Sequence, residues 1–481
     1  MYQKWSYFII QCIGKITSFQ KQDLIDDQKI TKNQVKINHF KWKGKEGKEK
    51  QKIGKWEVYW KNKVQKIGGY YDNQGLKQGL WQEEYENFWD YAQIVYVGIY
   101  HNGIQRNRWD TIMNNNFIGG GNYDHNGKKT GKWVELHLNY FKQNYAYCDA
   151  TYEGEYLEGG KQGYWQTFLS KKIIGGGFYN QDGQKDGFWI ELNDNFSLYL
   201  IEIINSGNQV IYKGNYKNGL QIGIWEIVKV YDGKQIYIGG GSFDDNGKKN
   251  GRWVDLAIDW LNGNKEIFYI GDYKNGQKIG QWNIHNWYNK SIGGGEFQEG
   301  VKNGQWIELH DNWHQKWPQI SYHGSYQNGK KNGKWDTYDN YNGTDKYMLN
   351  FNIIRSGGGQ FQGGIKDGIW IDVHDDWRPG WRQIIYHGEY QMGKKIGTWK
   401  ILENSDKQIG GGDYNEYGMK NGKWFEPDEK WDKKNLEFIY EGEYKNGLKI
   451  GQWNRIDNLN GINNSLYEHY SDDGFLIENE L

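Results

Sequence analysis

Apolar and polar side chains alternate along short stretches of this 481-residue chain, and the same alternation keeps returning. In Tyr269-Ile270-Gly271-Asp272-Tyr273 the tyrosines and the central glycine occupy every second position, and Trp282 and Ile284 do the same a few residues later. A period of two puts such residues on one face of an extended strand. Between the two stretches lies Asn275-Gly276, a pair suited to the positive backbone angles of a tight hairpin turn. Asn218-Gly219, Asn246-Gly247, Asn328-Gly329 and Asn446-Gly447 repeat that signal. Each unit predicts one β-hairpin.

The units are counted by a tryptophan: Trp56, Trp81, Trp109, Trp133, Trp165, Trp189, Trp225, Trp253, Trp282, Trp306, Trp335, Trp370, Trp399, Trp424 and Trp453. Fourteen of the fifteen have glycine two residues earlier; Trp109 has Asn107 there. Two types alternate strictly. The first reads Tyr-x-Gly-x-Tyr, a turn, then Gly-x-Trp, as in Tyr440 to Trp453. The copy ending at Trp56 lacks a recognisable first half. The second reads Gly-Gly-Gly-x-Tyr/Phe, a turn, then Lys-x-Gly-x-Trp-x-Glu/Asp, as in Gly293 to Glu308. Its first copy has only Gly68-Gly69. Aromatic rings are expected to lie over the bare glycine backbone of a neighbouring strand, with leading tyrosines such as Tyr152 or Tyr212 covering the glycine runs.

Fifteen hairpins give an all-β chain: an elongated single-layer antiparallel ribbon over residues 46–460. Residues 1–45 read as an N-terminal cap or docking segment and 461–481 as a C-terminal cap. Seven pairs of hairpins also count out as a seven-bladed β-propeller. Composition fits turns and strands, with 67 glycines and 3 prolines. The apolar material is aromatic: Trp, Tyr and Phe make up 17% of the chain. Sixty basic residues balance sixty acidic ones, so no bulk field attracts nucleic acid. Two cysteines, Cys12 and Cys148, form neither a disulfide framework nor a zinc site and fit a reducing, cytoplasmic setting. The apolar start, Trp5 to Ile13, is too short to span a membrane and reads as a cap rather than a signal peptide.

The run Tyr-x-Gly-x-Tyr-x-Asn-Gly-x-x-x-Gly-x-Trp, Tyr440 to Trp453, resembles the membrane occupation and recognition nexus (MORN) repeat, in the variant form that Gly-x-Trp closes. The likeness covers about Lys52 to Asn460; the glycine-run units match it less well. It implies successive hairpins in a single-layer sheet. It also implies a non-catalytic scaffold for cytoskeletal, ciliary or membrane-contact assemblies, with phosphoinositide binding as a further family proposal and no catalytic residues to transfer. No cofactor is expected.

The repeated polar residues offer the remaining chemistry. A lysine stands four residues before Trp in thirteen units: Lys52, Lys77, Lys129, Lys161, Lys185, Lys249, Lys278, Lys302, Lys331, Lys366, Lys395, Lys420 and Lys449. An acid follows Trp by two in every second-type unit: Glu83, Glu135, Glu191, Asp255, Glu308, Asp372 and Glu426. These predict a cross-strand ladder of lysine–carboxylate pairs with lysine stems along the indoles. The alternative is a row, Lys249, Lys278, Lys302, Lys331, Lys366 and Lys395, that grips a protein partner or anionic lipid. His137, His310 and His374 each follow the acid by two and read as structural, since copies tens of residues apart do not converge on one metal ion. The glycine runs lack the helix and Lys-Ser/Thr of a phosphate loop. A second aromatic past each acid, at Trp89, Tyr140, Phe196, Trp260, Trp313, Trp377 and Trp431, is expected to fold back over the sheet.

Overall fold

The computed structural model of the chain describes residues 39–90, 92–140, 148–194, 196, 209–231, 234–257, 266–311, 313, 320–339, 355–375, 383–403, 407–428, 438–457 and 467–479. All of its elements between Phe40 and Asn479 are β-strands, thirty-two of them, numbered β1 to β32 in chain order. Two compact units divide the chain, one comprising Met1–Tyr212, Tyr216–Gly219 and Val230–Lys234, the other Lys213–Asn215, Leu220–Lys229 and Gln235–Leu481. Trp260, Trp377 and Trp431, Cys12 and most of the 1–45 segment lie outside the described residues.

Strands pair antiparallel with their chain neighbours from β1 to β12 in the first unit and from β15 to β32 in the second. A propeller blade would end at each fourth strand. Instead β4 (Lys77–Glu84) pairs with β5 (Ile94–His101), and β8 (Lys129–Leu136) with β9 (Thr151–Leu157). In the second unit β16 (Lys249–Leu256) pairs with β17 (Ile267–Lys274), and β28 (Lys420–Pro427) with β29 (Phe438–Lys445). Continuous pairing of this kind is an open ribbon of hairpins, and it removes the propeller.

The hairpin of β17 and β18 (Gln277–Asn286) shows why the sequence pattern is needed. Asn275 and Gly276, with φ of 52° and 82°, form the two-residue turn. Pairing then jumps from Asp272↔Ile279 to Ile270↔Asn283, leaving Gly271 opposite the stretch Gly280 to Trp282. Gly280, at φ 61°, supplies the left-handed residue that makes this bulge. The bulge lays the indole of Trp282 over Gly271, where a Cβ would stand 2.2 Å from the ring. It also leaves the Asp272 carbonyl free to accept from Trp282 Nε1–H at 3.2 Å. Thirteen of the fifteen indoles make this same bond to the carbonyl after the covered glycine. Where Asn107 replaces the bulge glycine, it holds φ 56°, a conformation asparagine tolerates better than most residues.

The glycine runs have three separate reasons. In β19 (Ser291–Gln298) a Cβ on Gly295 would strike the Trp306 ring, one on Gly294 would stand 2.1 Å from the Trp282 carbonyl oxygen, and one on Gly293 would stand 2.7 Å from that of Ile307. The ring over each run is therefore the tryptophan of the same hairpin. Trp189 covers Gly177, and Trp253 covers Gly241; Tyr152 and Tyr212 do not fill that role. Asn246-Gly247 also departs from expectation. Only Gly247 has positive φ, and Asp244 Oδ1 accepts from the N–H groups of Asn246 and Lys248, closing a longer turn.

Both ends of the pattern extend further than the sequence suggests. Strand β1 (Phe40–Glu46) pairs with β2 (Lys52–Trp60), and Trp56 lies over Gly44. The missing first half of that copy is thus Trp42-x-Gly44-x-Glu46. At the other end β31 (Tyr467–Tyr470) and β32 (Leu476–Asn479) form a sixteenth hairpin. The aromatic residues of the connections do fold back: Tyr140, Phe196 and Trp313 are buried, and Trp89 is half-buried. Trp313 packs on Ile267 and Ile284 in the second unit.

Candidate functional site: the indole–lysine face and its reverse

The bulge at each Gly-x-Trp brings tryptophan, lysine, tyrosine and acid onto one face. All fifteen tryptophans are buried. They alternate edge-to-face with the second aromatic of each strand. In the first unit Tyr123 lies 6.2 Å from Trp109 and 5.1 Å from Trp133; in the second, Tyr390 lies 6.1 Å from Trp370 and 5.1 Å from Trp399. Edge-to-face pairs contribute roughly 0.5–1.5 kcal/mol each beyond area burial.

All thirteen lysines sit over the tryptophan four residues on, at 3.9 to 4.9 Å from a ring centroid. Seven of them then reach the acid. Lys129–Glu135, Lys249–Asp255 and Lys366–Asp372 are 2.5 Å pairs, and Lys77–Glu83, Lys185–Glu191, Lys302–Glu308 and Lys420–Glu426 are bonded likewise. These pairs run along a single strand, six residues apart, arching over the indole between them; a cross-strand ladder was the expectation. The bulge is the reason, since its extra residues draw lysine and acid together over the ring. Lysines of the first-type hairpin reach back between hairpins, Lys161 to Glu135 and Lys331 to Glu308, both at 2.8 Å.

Tyrosine hydroxyls complete each acid. Tyr156 donates to Glu135 at 2.7 Å, Tyr273 to Asp255 at 2.7 Å, Tyr326 to Glu308 at 2.8 Å and Tyr390 to Asp372 at 2.8 Å. Burial alone would raise the Glu135 and Glu308 carboxyls; two lysines apiece hold both below their ordinary values. Burial lowers Lys278 and Lys395, against the pull of Asp255 and Asp372. It pushes Tyr71, Tyr123 and Tyr179 up to about 12, helped by nearby carboxylates. The six lysines predicted as a contact row, Lys249 to Lys395, are thus all seated on indoles, and four of them are paired with an acid.

The other sequence candidates resolve as packing. His137, His310 and His374 each lie about 6 Å from a leading tyrosine: Tyr152, Tyr322 and Tyr386. No group of three or more metal-ligating side chains occurs among the described residues. Cys148 is buried, which pushes its thiol up to about 11. A cleft of about 530 Å³ in the first unit is walled by Tyr152, Trp165, Tyr179, Trp189, Glu191 and Tyr212. Its carboxylate already holds Lys185 and the Tyr216 hydroxyl.

Sequence reasoning missed the reverse face. The residue between glycine and tryptophan points away from the indoles. In the first unit Leu80, Tyr164 and Phe188 are 65%, 78% and 57% exposed; in the second, Ile224 and Ile369 are 73% and 61% exposed. Tyr164 opposes Phe178 across β10 (Gly160–Leu169) and β11 (Lys172–Tyr179), with ring centroids 5.1 Å apart. Elsewhere the row carries opposite charges in register, Lys132 across from Glu155 and Arg252 across from Asp272. The signal lay in the x of Gly-x-Trp, one step out of phase with every marked position.

No protein-family model matches the chain, and no curated protein matches it.

Proposed function

We infer that the chain is a non-catalytic repeat scaffold that binds protein partners at many points along the face opposite its tryptophans. The observation that carries this reading is the set of exposed apolar side chains at this position, Leu80, Tyr164 and Phe188 in the first unit and Ile224 and Ile369 in the second. On the indole face, by contrast, each repeated acid already has a lysine and a tyrosine. Contiguous exposed apolar surface marks interaction sites, and Tyr164 lies against Phe178 of the neighbouring strand. Repeated weak contacts add up when the partner shares their spacing. A cytoskeletal or ciliary filament in the cytoplasm offers such spacing, and the resemblance to MORN repeats points the same way.

The test is photo-crosslinking in cells, with the crosslinking residue placed at 164 or 369 on the outer face or at 278 on the indole face. Filament or axonemal subunits captured from 164 and 369 support the reading. Capture from 278 alone overturns it. So does binding to anionic vesicles that is lost on reversing Lys278, Lys302 and Lys331, which would favour a lipid-binding function.

A further inference from the structure

Two of the fifteen tryptophans lack the lysine four residues earlier: Trp109 has Gln105 there and Trp225 has Gln221. Everything around Trp109 lies in the first unit, on β4, β5 and β6 (Ile104–Met113). These strands keep the register of repeats that do have the lysine. Gln105 stands opposite Tyr100 as Lys161 stands opposite Tyr156 and Lys331 opposite Tyr326. Glu83 stands opposite Tyr96 as Glu135 stands opposite Tyr152 and Glu308 opposite Tyr322. Trp109 lies over Gly98, with Tyr100 at 5.1 Å and Tyr123 at 6.2 Å. Trp165 lies over Gly154 in the same way, with Tyr156 at 5.3 Å and Tyr179 at 6.1 Å.

In the complete repeats this lysine makes two kinds of contact. Its ammonium lies 3.9 Å from the Trp165 ring or 4.1 Å from the Trp335 ring, with two further aromatic rings at 5.5 to 6.0 Å. It also donates to the second oxygen of the acid: Lys161 reaches Glu135 Oε2 and Lys331 reaches Glu308 Oε2, both at 2.8 Å. Glu83 repeats only half of that arrangement. Lys77 and the Tyr100 hydroxyl both donate to its Oε1, the hydroxyl at 3.1 Å. Among the described residues nothing donates to Glu83 Oε2, no cation lies over Trp109, and Gln105 makes no side-chain hydrogen bond. Arg106 does not serve instead, because it stands opposite the exposed Ile99 on the reverse face.

We propose that Trp109, Tyr96, Tyr123 and Glu83 Oε2 bind a primary alkylammonium group from outside the chain, in the place that Lys161 and Lys331 fill in their own repeats. Aromatic faces attract an ammonium ion, and a carboxylate oxygen accepts from it in a strong, charge-assisted hydrogen bond. Gln105 is neutral and shorter than lysine, and its amide oxygen can accept from the same ammonium. A second carboxylate stands close by, since Glu86 Oε2 accepts from the Tyr96 hydroxyl at 3.1 Å. The equivalent lysines keep partly exposed side chains, so the position is open to solvent. The same chemistry is offered by a free amine and by a lysine side chain of a partner. This site goes beyond the scaffold reading, which puts partners on the opposite face, and either stands without the other.

The test uses a photo-crosslinking probe, a diazirine on a primary-amine stem, applied to the full chain, with labelled residues located by peptide mass spectrometry. Labels should concentrate on β4 to β6, around Glu83, Tyr96 and Trp109, and n-butylammonium should compete them away. Equal competition by Nα-acetyl-lysinamide supports the site with a partner lysine as its ligand; competition by butylammonium alone supports it with a free amine. Gln105→Lys supplies an ammonium from the chain itself and should cut labelling there about tenfold, the loss of one hydrogen bond to a charged group. Glu83→Gln should do the same while the near-ultraviolet circular dichroism of the aromatic rows stays as in the wild type. Labels spread evenly over the repeats overturn the proposal. So does undiminished labelling of Gln105→Lys, or equal labelling by the alcohol analogue of the probe.

Discussion

Glycine serves two distinct purposes here, and substitutions separate them. Gly271 lies beneath an indole, whereas a Cβ on Gly280 would meet nothing within 4 Å but would have to sit at φ 61°. Gly271→Ala should cost about 1–3 kcal/mol through overpacking, and larger side chains more. Gly280→Ala should cost about 1–2 kcal/mol through backbone strain alone. Gly280→Asn should cost less, because Asn107 already holds this position at φ 56° in its own repeat. Urea unfolding of the three variants decides it. Equal losses for alanine and asparagine at 280 would mean that handedness is not what the position selects. At this scale the sequence was readable wherever a residue recurs in phase: the Gly-x-Trp pairs and the lysines stand where their spacing put them. Trp42 and Glu46 hid the first strand because they replace both tyrosines of the motif, and the outer row hid in a position whose identity varies.

Each of the seven repeated acids sits in a charge cluster whose parts titrate differently. Glu308 holds Lys302, Lys331 and the Tyr326 hydroxyl, and its side chain is only 16% exposed. Glu308→Gln should therefore destabilise the second unit by about 1–3 kcal/mol, the cost of unpairing buried charged partners. Glu135 and Glu308 are held below their unfolded values, so their contribution is complete above the ordinary glutamate range and is lost as pH falls through the folded values. Tyrosines act at the other limit. Tyr71, Tyr123 and Tyr179 ionise near 12 when folded and near 10 when unfolded, so the unfolded chain sheds protons first and stability falls as pH rises above 10. Tyrosinate absorbance should lag behind that of free tyrosine and then rise together with loss of the β-sheet signal. A smooth titration near pH 10 with the sheet intact would contradict the buried row. Spacing put lysine and acid on one strand but could not reveal that they pair with each other, because the bulge that unites them depends on backbone angles at the glycine between them.

Among the described residues the strand pairings within each unit run between chain neighbours, so the stability of each unit is a sum of local terms with no single core to lose. Damage should stay near its source. Gly271→Ala removes room beneath Trp282, which touches Tyr273 at 5.0 Å and Phe297 at 6.0 Å within the second unit. Hydrogen exchange should quicken around β17 to β19 and fade within a few hairpins on either side. Amides of β4 to β8 in the first unit, which build their own row from Trp81 to Trp133, should keep wild-type protection. A two-state protein would instead lose protection everywhere by the same factor, because every amide would exchange through one global opening. Uniform acceleration across β4 to β8 would therefore show that the units unfold as one body and that nearest-neighbour additivity is the wrong description. The local outcome has a consequence for binding. A partner that grips Tyr164 and Phe188 would protect β10 to β12 (Lys185–Leu192) and their neighbours alone, so the footprint of exchange protection would mark which stretch of the outer face it occupies.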